Sequence, residues 1–433
     1  MLNRIFAGLI LVAIAHAAVV GRMGEVAAAL FDSARSAVDL VIGLVGAMVF
    51  FLGLMRVAFE GGLRQAIARA LAPALRRLFP EVPADHPAMG AMVMNLSSTM
   101  LGLGNAATPF GLKAMVELDR LNPYPGCASD AMVLLLAINT SLVALMPPLG
   151  TMAVRVAAGS TRPEVIWLPT FLATTCSTVA AVAAHYALRR RFPHRPVAHG
   201  RAEAPPLPDV ELEDVAERHP ASRGARLVIG ATLVALAVGL LLEVGRLAGA
   251  DPPREGVQHM VQDWLLPVLV AVLVLVGVRG GVPVYEAMIR GAREGLDVAV
   301  RIVPYLVAIL VAVGMLRASG ALDRAITLLA PLVRPLGIPP EVLPMALLRP
   351  LSGSGAFAVM SETLKAYGPD SFVGLVASTL QGSTETTFYV LAIYFGAAGI
   401  RDGRHALAAG LIGDLAGFAA AIIACHWLFG DAP

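Results

Sequence analysis

Between Asn95 and Lys113 an apolar stretch is interrupted by Gly102, Gly104, Pro109 and Gly111 and carries Asn95, Ser97, Ser98, Thr99, Asn105 and Thr108. Such a stretch suits neither a lipid-facing helix nor a soluble loop. In hydrocarbon an unpaired backbone N–H or C=O costs several kcal/mol, so a broken helix persists only inside protein or against a water-filled cavity. A second stretch of this kind, Arg349 to Lys365, contains Pro350, Ser352, Gly353, Ser354 and Gly355. Paired interruptions in two halves of an apolar chain point to a solute site near the middle of a bilayer.

The rest of the chain agrees with a membrane setting. Only 15% of its 433 residues are charged, against about 25% in a soluble domain. The mean hydropathy is +0.73. Apolar spans are expected near 4–21, 38–59, 130–157, 164–188, 226–248, 262–279, 297–317, 370–398 and 405–429, with half-helices around 88–101 and 106–120. Residues 4–21 have some signal-peptide character (Ala15-His16-Ala17), but a retained first helix is favoured. The arginines from Arg56 to Arg77 suit an amphipathic stretch on the cytoplasmic membrane surface. Residues 189–225 are charged and proline-rich, and read as a cytoplasmic linker between membrane halves 1–188 and 226–433. A bacterial inner-membrane location follows as the expectation. No metal or cofactor is expected, because Cys127, Cys176 and Cys425 and the histidines have no ligand spacing. The expected surroundings are a lipid bilayer and a small polar solute, with a homo-oligomer left open. Nucleic acid is not expected, since no basic face is interleaved with aromatics.

The halves overlay. Leu71-Ala-Pro73 and Pro80 answer to Leu329-Ala-Pro331 and Pro339, and each broken stretch ends in Leu-Lys-Ala at 112–114 and 364–366. Lys113 and Lys365 are the only lysines in the chain. Each unit then continues into a span with a polar middle, Asn139-Thr140-Ser141 in one and Gln381-Gly-Ser383-Thr384-Glu385-Thr386-Thr387 in the other. With the linker inside, and each broken stretch returning to its own side, the spans 38–59 and 297–317 run in opposite directions. The expected fold is therefore an all-α polytopic membrane protein of two inverted repeats, each with a re-entrant broken-helix hairpin.

Gly102-Leu-Gly104-Asn-Ala-Ala-Thr108-Pro109, Gly111-Leu-Lys113 and Asn139-Thr-Ser141 resemble the spore maturation protein A family. Arg349-Pro-Leu-Ser-Gly-Ser-Gly355 and Gln381-Gly-Ser-Thr-Glu-Thr-Thr-Phe-Tyr389 resemble spore maturation protein B. The chain thus looks like a fusion of the two. Both belong to a superfamily named for a nucleoside-recognition or gate domain and shared with transporters. The resemblance implies a membrane transport or gating role and does not name a substrate.

Glu385 is the sharpest single candidate. A carboxylate at membrane depth costs at least about 2.5–3.5 kcal/mol and normally faces a cavity or a partner. The plainer alternative is a structural ion pair with Arg349. Asn95, Ser98, Asn105, Thr108, Asn139, Thr140, Ser141, Ser352, Ser354, Gln381, Ser383, Thr384 and Thr386 are the candidate solute contacts, offering donors and acceptors to a nucleoside-like molecule. Interhelical hydrogen bonding is their bland alternative. Glu385, Glu362, Lys113 and Lys365 are the coupling candidates, although Glu362 and Lys365 could simply pair one turn apart. Two rivals to transport remain. One is a non-transporting scaffold or gating subunit; the other, more distant, is a membrane hydrolase built on Ser352, for which no histidine is placed.

Overall fold

The computed structural model describes residues 2–101, 107–141, 143–194, 223–247 and 253–430. Among them every regular element is helical: α1 (Leu2–Val20), α2 (Met23–Glu60), α3 (Leu63–Leu78), α4 (Pro87–Met100), α5 (Thr108–Arg120), α6 (Asp130–Ser141), α7 (Leu149–Ala157), α8 (Trp167–Leu188), α9 (Arg223–Leu247), α10 (Pro253–Arg279), α11 (Val284–Ala318), α12 (Ala321–Val333), α13 (Leu343–Leu348), α14 (Gly353–Tyr367), α15 (Phe372–Ser383), α16 (Thr387–Ala397) and α17 (Ala406–Phe429). The order repeats. A long helix, an amphipathic helix and two broken pairs occur as α2–α7 and again as α11–α16.

Three helical segments among the described residues are long and apolar enough to cross a membrane: Pro163–Leu188, Gly224–Glu243 and Ala406–Phe429. The number rises to five if two bent pairs each count as one span, Leu266–Arg279 with Val284–Asp297 at 120° and Ala321–Leu336 with Pro340–Leu348 at 118°. The half-helices of the first broken stretch fall where its glycines and Pro109 put them, as α4 and α5. The spans expected at 130–157 and 370–398 are instead two helices each, α6 with α7 and α15 with α16. Pro147 and Pro148 keep the chain out of helix immediately before α7, because the residue before a proline is driven out of helical conformation.

The helices gather into two compact units. Unit 1 takes Met1–Leu44, Met115–Pro205 and Ala299–Pro433, and unit 2 takes Val45–Ala114 and Pro206–Val298. Each unit therefore draws on both sides of 189–225. Most of the expected linker, 195–222, lies outside the described residues.

In unit 1, α8 packs along α17, flanked by α6 and α15. Their contact is made of small side chains, with Ala137, Ala181, Ala184 and Ala409 in one buried cluster. At Gly413 a Cβ would stand 3.0 Å from the Ala181 Cβ, and at Gly410 2.7 Å from Thr387 Cγ2. Small residues at such places let membrane helices approach closely enough for dispersion forces to hold them. In unit 2, α3 packs on α4, and Glu60 accepts from Arg56 at 2.8 Å and from Arg290 at 2.8 Å. Unit 2 also holds a cavity of about 640 Å³ lined by Phe50, Phe51, Leu266, Pro267 and Val270. Its apolar lining does not suit a polar solute.

Candidate functional site

A helix broken in hydrocarbon must find partners for the backbone groups it frees. Unit 1 solves this by crossing its breaks. The α15–α16 break is Thr384-Glu385-Thr386, and its Glu385 N–H donates to the carbonyl of Thr140 at the end of α6 at 2.9 Å. Phe388 N–H donates to Pro350 O in the α13–α14 turn at 3.0 Å. The Thr384 carbonyl accepts from the Arg349 guanidinium. The α6–α7 break is closed by α8: Thr178 donates to Ser141 O, Ala144 N–H donates to Thr174 Oγ1 at 3.2 Å, and the Trp167 indole donates to Leu145 O at 3.2 Å. Each break is completed by another segment of the unit.

Arg349 is the charge at the centre of this arrangement. It sits just before Pro350, which ends α13, and Ser352 starts α14 by accepting from Gly355 N–H at 3.0 Å. Its side chain is 7% exposed and reaches Glu385 Oε2 at 3.9 Å, while the Glu385 side chain is 48% exposed. It also donates to Thr386 Oγ1 at 3.4 Å. The ion pair considered for Glu385 thus forms, but with an open carboxylate. A second carboxylate feels the same guanidinium. Asp414 of α17 is 2% exposed, accepts from Thr387 Oγ1 on Oδ2 at 2.7 Å, has the Thr384 hydroxyl beside it, and has no well-aligned donor on Oδ1. Sequence reasoning missed it, although it is the sole Asp, Glu, Lys or Arg in Ala406–Phe429.

The other expected residues divide. Asn139, Thr140 and Ser141 are buried and donate on α6 itself, to Leu135 O and Ala137 O at 2.7–3.0 Å, while Asn139 Oδ1 accepts from the Tyr394 hydroxyl of α16 at 3.5 Å. Ser383 donates to Leu380 O at 2.8 Å. By contrast, Gln381 Oε1 is buried without a partner, Thr384 Oγ1 is buried beside the Asp414 carboxyl, and Ser354 is exposed beside the turn. Glu362 pairs with Arg317 at 3.4 Å and not with Lys365, whose Nζ donates to Ser36 Oγ at 2.6 Å. In unit 2, Asn95 Nδ2 donates to Ala107 O at 3.0 Å, tying together the two sides of the α4–α5 break. Ser98 is buried, and Thr108 and Lys113 are half-buried. Asn105 lies outside the described residues.

Two further charge clusters fasten the loops of unit 1. Arg155 of α7 is fully buried and donates to Asp370 Oδ1 at 2.8 Å, Pro369 O at 2.6 Å and Ser378 Oγ at 3.2 Å. Arg404 donates to Asp130 Oδ1 at 2.5 Å, Phe192 O at 2.8 Å and Arg189 O at 3.2 Å. Arg155 reaches across from within α7 and Arg404 from the turn between α16 and α17. In each, an arginine from one repeat holds an aspartate at the start of α6 or α15 of the other. Burial alone would raise the Asp370 carboxyl, but hydrogen bonds from Ser160 and Thr161 and the Arg155 charge outweigh it and hold the group below its ordinary value. A depressed folded value contributes stability above the unfolded value of about 3.9 and loses it as pH falls through the folded value. The stability difference between wild type and Asp370→Asn should therefore be full at pH 7 and vanish in acid. A difference that persists at pH 2 in detergent unfolding would rule out this origin.

Crossed helix breaks around buried polar and charged side chains define an all-helical membrane protein with a polar interior. The family model described as "Gate: Nucleoside recognition" matches residues 41–158 and 299–401. The chain belongs to this nucleoside-recognition Gate family, and the two matched segments carry the two copies of the repeated element order. Spore maturation protein B of Bacillus subtilis (strain 168) is 48% identical over 174 residues, covering 39% of this chain and 98% of that protein. Spore maturation protein A of the same organism is 40% identical over 182 residues, covering 42% of this chain and 92% of that protein. Each relative covers part of the chain, which fits a fused A/B-like protein. The Alcanivorax borkumensis YdaH transporter structure aligns over 94% of this chain and 88% of its own at 15% identity, with a TM-score of 0.32. That likeness carries no argument.

Proposed function

We propose that the protein is a permease of the bacterial inner membrane that moves a small polar solute, nucleoside-like in its hydrogen-bonding pattern, through the crossed breaks of unit 1. The observation that carries this reading is the Arg349–Glu385 pair, 3.9 Å apart with the carboxylate half exposed. An intramembrane ionisable pair is costly and is kept where it faces a solute or ion route. Gln381, with a buried unpartnered oxygen, and Thr384, beside the Asp414 carboxyl, supply neutral polar contacts near the pair, and no covalent step is needed.

A second reading has support in the internal hydrogen bonds of Asn139, Thr140 and Ser141. Their donors are already used on α6, as in a packed scaffold or gating subunit. The two readings separate in proteoliposomes loaded with labelled nucleosides. Glu385→Gln should reduce flux at least about tenfold, the scale of one lost charge-assisted contact, with helicity and melting unchanged. Undiminished flux in the variant removes Glu385 from the route. No flux in the wild type with any nucleoside favours the scaffold.

A further inference from the structure

The charges of the site do not balance. Arg349 supplies one positive charge, while Glu385 and Asp414 supply two negative ones, and both interact with that guanidinium. The remaining helices packed on α17 offer no compensation. α15 and α16 contain no Asp, Glu, Lys, Arg or His. On α8 the titratable groups are Cys176 and Tyr186, both exposed, and His185, about two turns from Ser177; Ser177 itself donates to Gly413 O at 2.8 Å and brings no charge there. On α6 the one titratable group is Asp130, at the opposite end from Ser141. Thr140 and Ser141 face Gly410 and Gly413 with uncharged groups. Glu385 is 48% exposed and can be hydrated. Asp414 is 2% exposed, its neighbours are the neutral hydroxyls of Thr387 and Thr384, Oδ1 has no well-aligned donor, and a buried carboxylate without a compensating cation is unfavourable by several kcal/mol.

We propose that Asp414 is a proton-binding site, holding one proton on Oδ1 while Arg349 pairs with Glu385, and that it is the coupling group of the transport reading. A metal ion is the poorer occupant, because a guanidinium faces the site and no cluster of three or more His, Cys, Asp or Glu occurs among the described residues. The bond formed is O–H on Oδ1. The proton comes from water and returns to water, with no electron transferred. Loss of the proton frees Asp414 to compete for Arg349 and so releases Glu385. The coupling role rests on the proposed transport, whereas the protonation does not.

Infrared spectroscopy of the reconstituted full chain at neutral pH separates the two. The protonated-carboxyl C=O band should be present in wild type and in Glu385→Gln and absent in Asp414→Asn. A band unchanged in Asp414→Asn, or lost in Glu385→Gln, overturns the assignment. Thr387→Val serves if Asp414→Asn does not fold. Removing the hydrogen bond at 2.7 Å should move the band to higher wavenumber, and an unmoved band overturns the assignment equally. Wild-type vesicles that take up no solute would defeat the transport reading and leave this spectrum as it is.

Discussion

Asp370→Ala should destabilise the protein by about 3–5 kcal/mol, and Arg155→Met by distinctly less. The asymmetry follows from burial. The Arg155 side chain is 0% exposed and that of Asp370 31% exposed. Deleting the carboxylate leaves a buried guanidinium whose hydrogen-bond acceptors are all neutral, Pro369 O, Arg162 O, Ser160 Oγ and Ser378 Oγ, with Glu164 as its one remaining carboxyl neighbour. Deleting the arginine leaves a carboxylate that water reaches and that still accepts from Ser160 Oγ at 2.6 Å and Thr161 N–H at 3.0 Å. That loss is confined to hydrogen bonds and cavity, about 1–2 kcal/mol. Residues in one ion-pair network couple, so the double variant should cost about 2 kcal/mol less than the sum of the singles. Reversible unfolding of the detergent-solubilised protein measures all three. If Arg155→Met costs as much as Asp370→Ala, burial asymmetry is not what sets the energetics of this cluster.

What could be read from the sequence was what is written locally. Gly102, Gly104 and Pro109 mark a break, and α4 ends at Met100 and α5 begins at Thr108 on either side of it. Uninterrupted apolar runs gave the spans of α8, α9 and α17. The cost of a carboxylate in hydrocarbon pointed to Glu385 and to Arg349 as its partner. The break at Thr384–Thr386 was not legible, because the polar run Gln381–Thr387 reads equally well as the polar middle of one continuous span, and Thr384–Thr386 itself contains neither glycine nor proline. It exists because Thr140, Pro350 and Arg349, remote in sequence, take up the backbone groups it frees. The same limit hid the units. Whether segment 115–205 joins 299–433 or 45–114 depends on contacts such as Ala181 with Gly413, which no local pattern encodes. Asp414 is a different case. Its signal is as strong as that of Glu385, but it stands outside the polar motifs common to the two repeats. The lysine symmetry misled in detail, since Lys365 engages Ser36 and leaves Glu362 to Arg317.

Arg404 offers a test in which side chain and backbone pull in opposite directions. It has φ 51°, the one positive value outside glycine among the described residues, and a left-handed backbone costs a side-chain-bearing residue about 1–2 kcal/mol. That strain is sustained by what the guanidinium reaches from there. Its 2% exposed side chain joins Asp130 to the carbonyls of Phe192, Arg189 and Ala128 and to His194 Nε2 at 2.9 Å. Arg404→Ala loses the whole fan while keeping the strain, so about 3 kcal/mol or more of stability should go. Arg404→Gly loses the same contacts but relieves the backbone, and should be the more stable of the two by about 1 kcal/mol. Arg404→Lys keeps the charge for Asp130, yet an ammonium cannot span carbonyls on either side of a planar fork; it should fall between wild type and Arg404→Gly. Equal stabilities for the alanine and glycine variants would mean that the backbone at 404 is unstrained. Full recovery by lysine would mean that charge, and not the spread of the guanidinium across three carbonyls, fastens the start of α6 to the turn before α17.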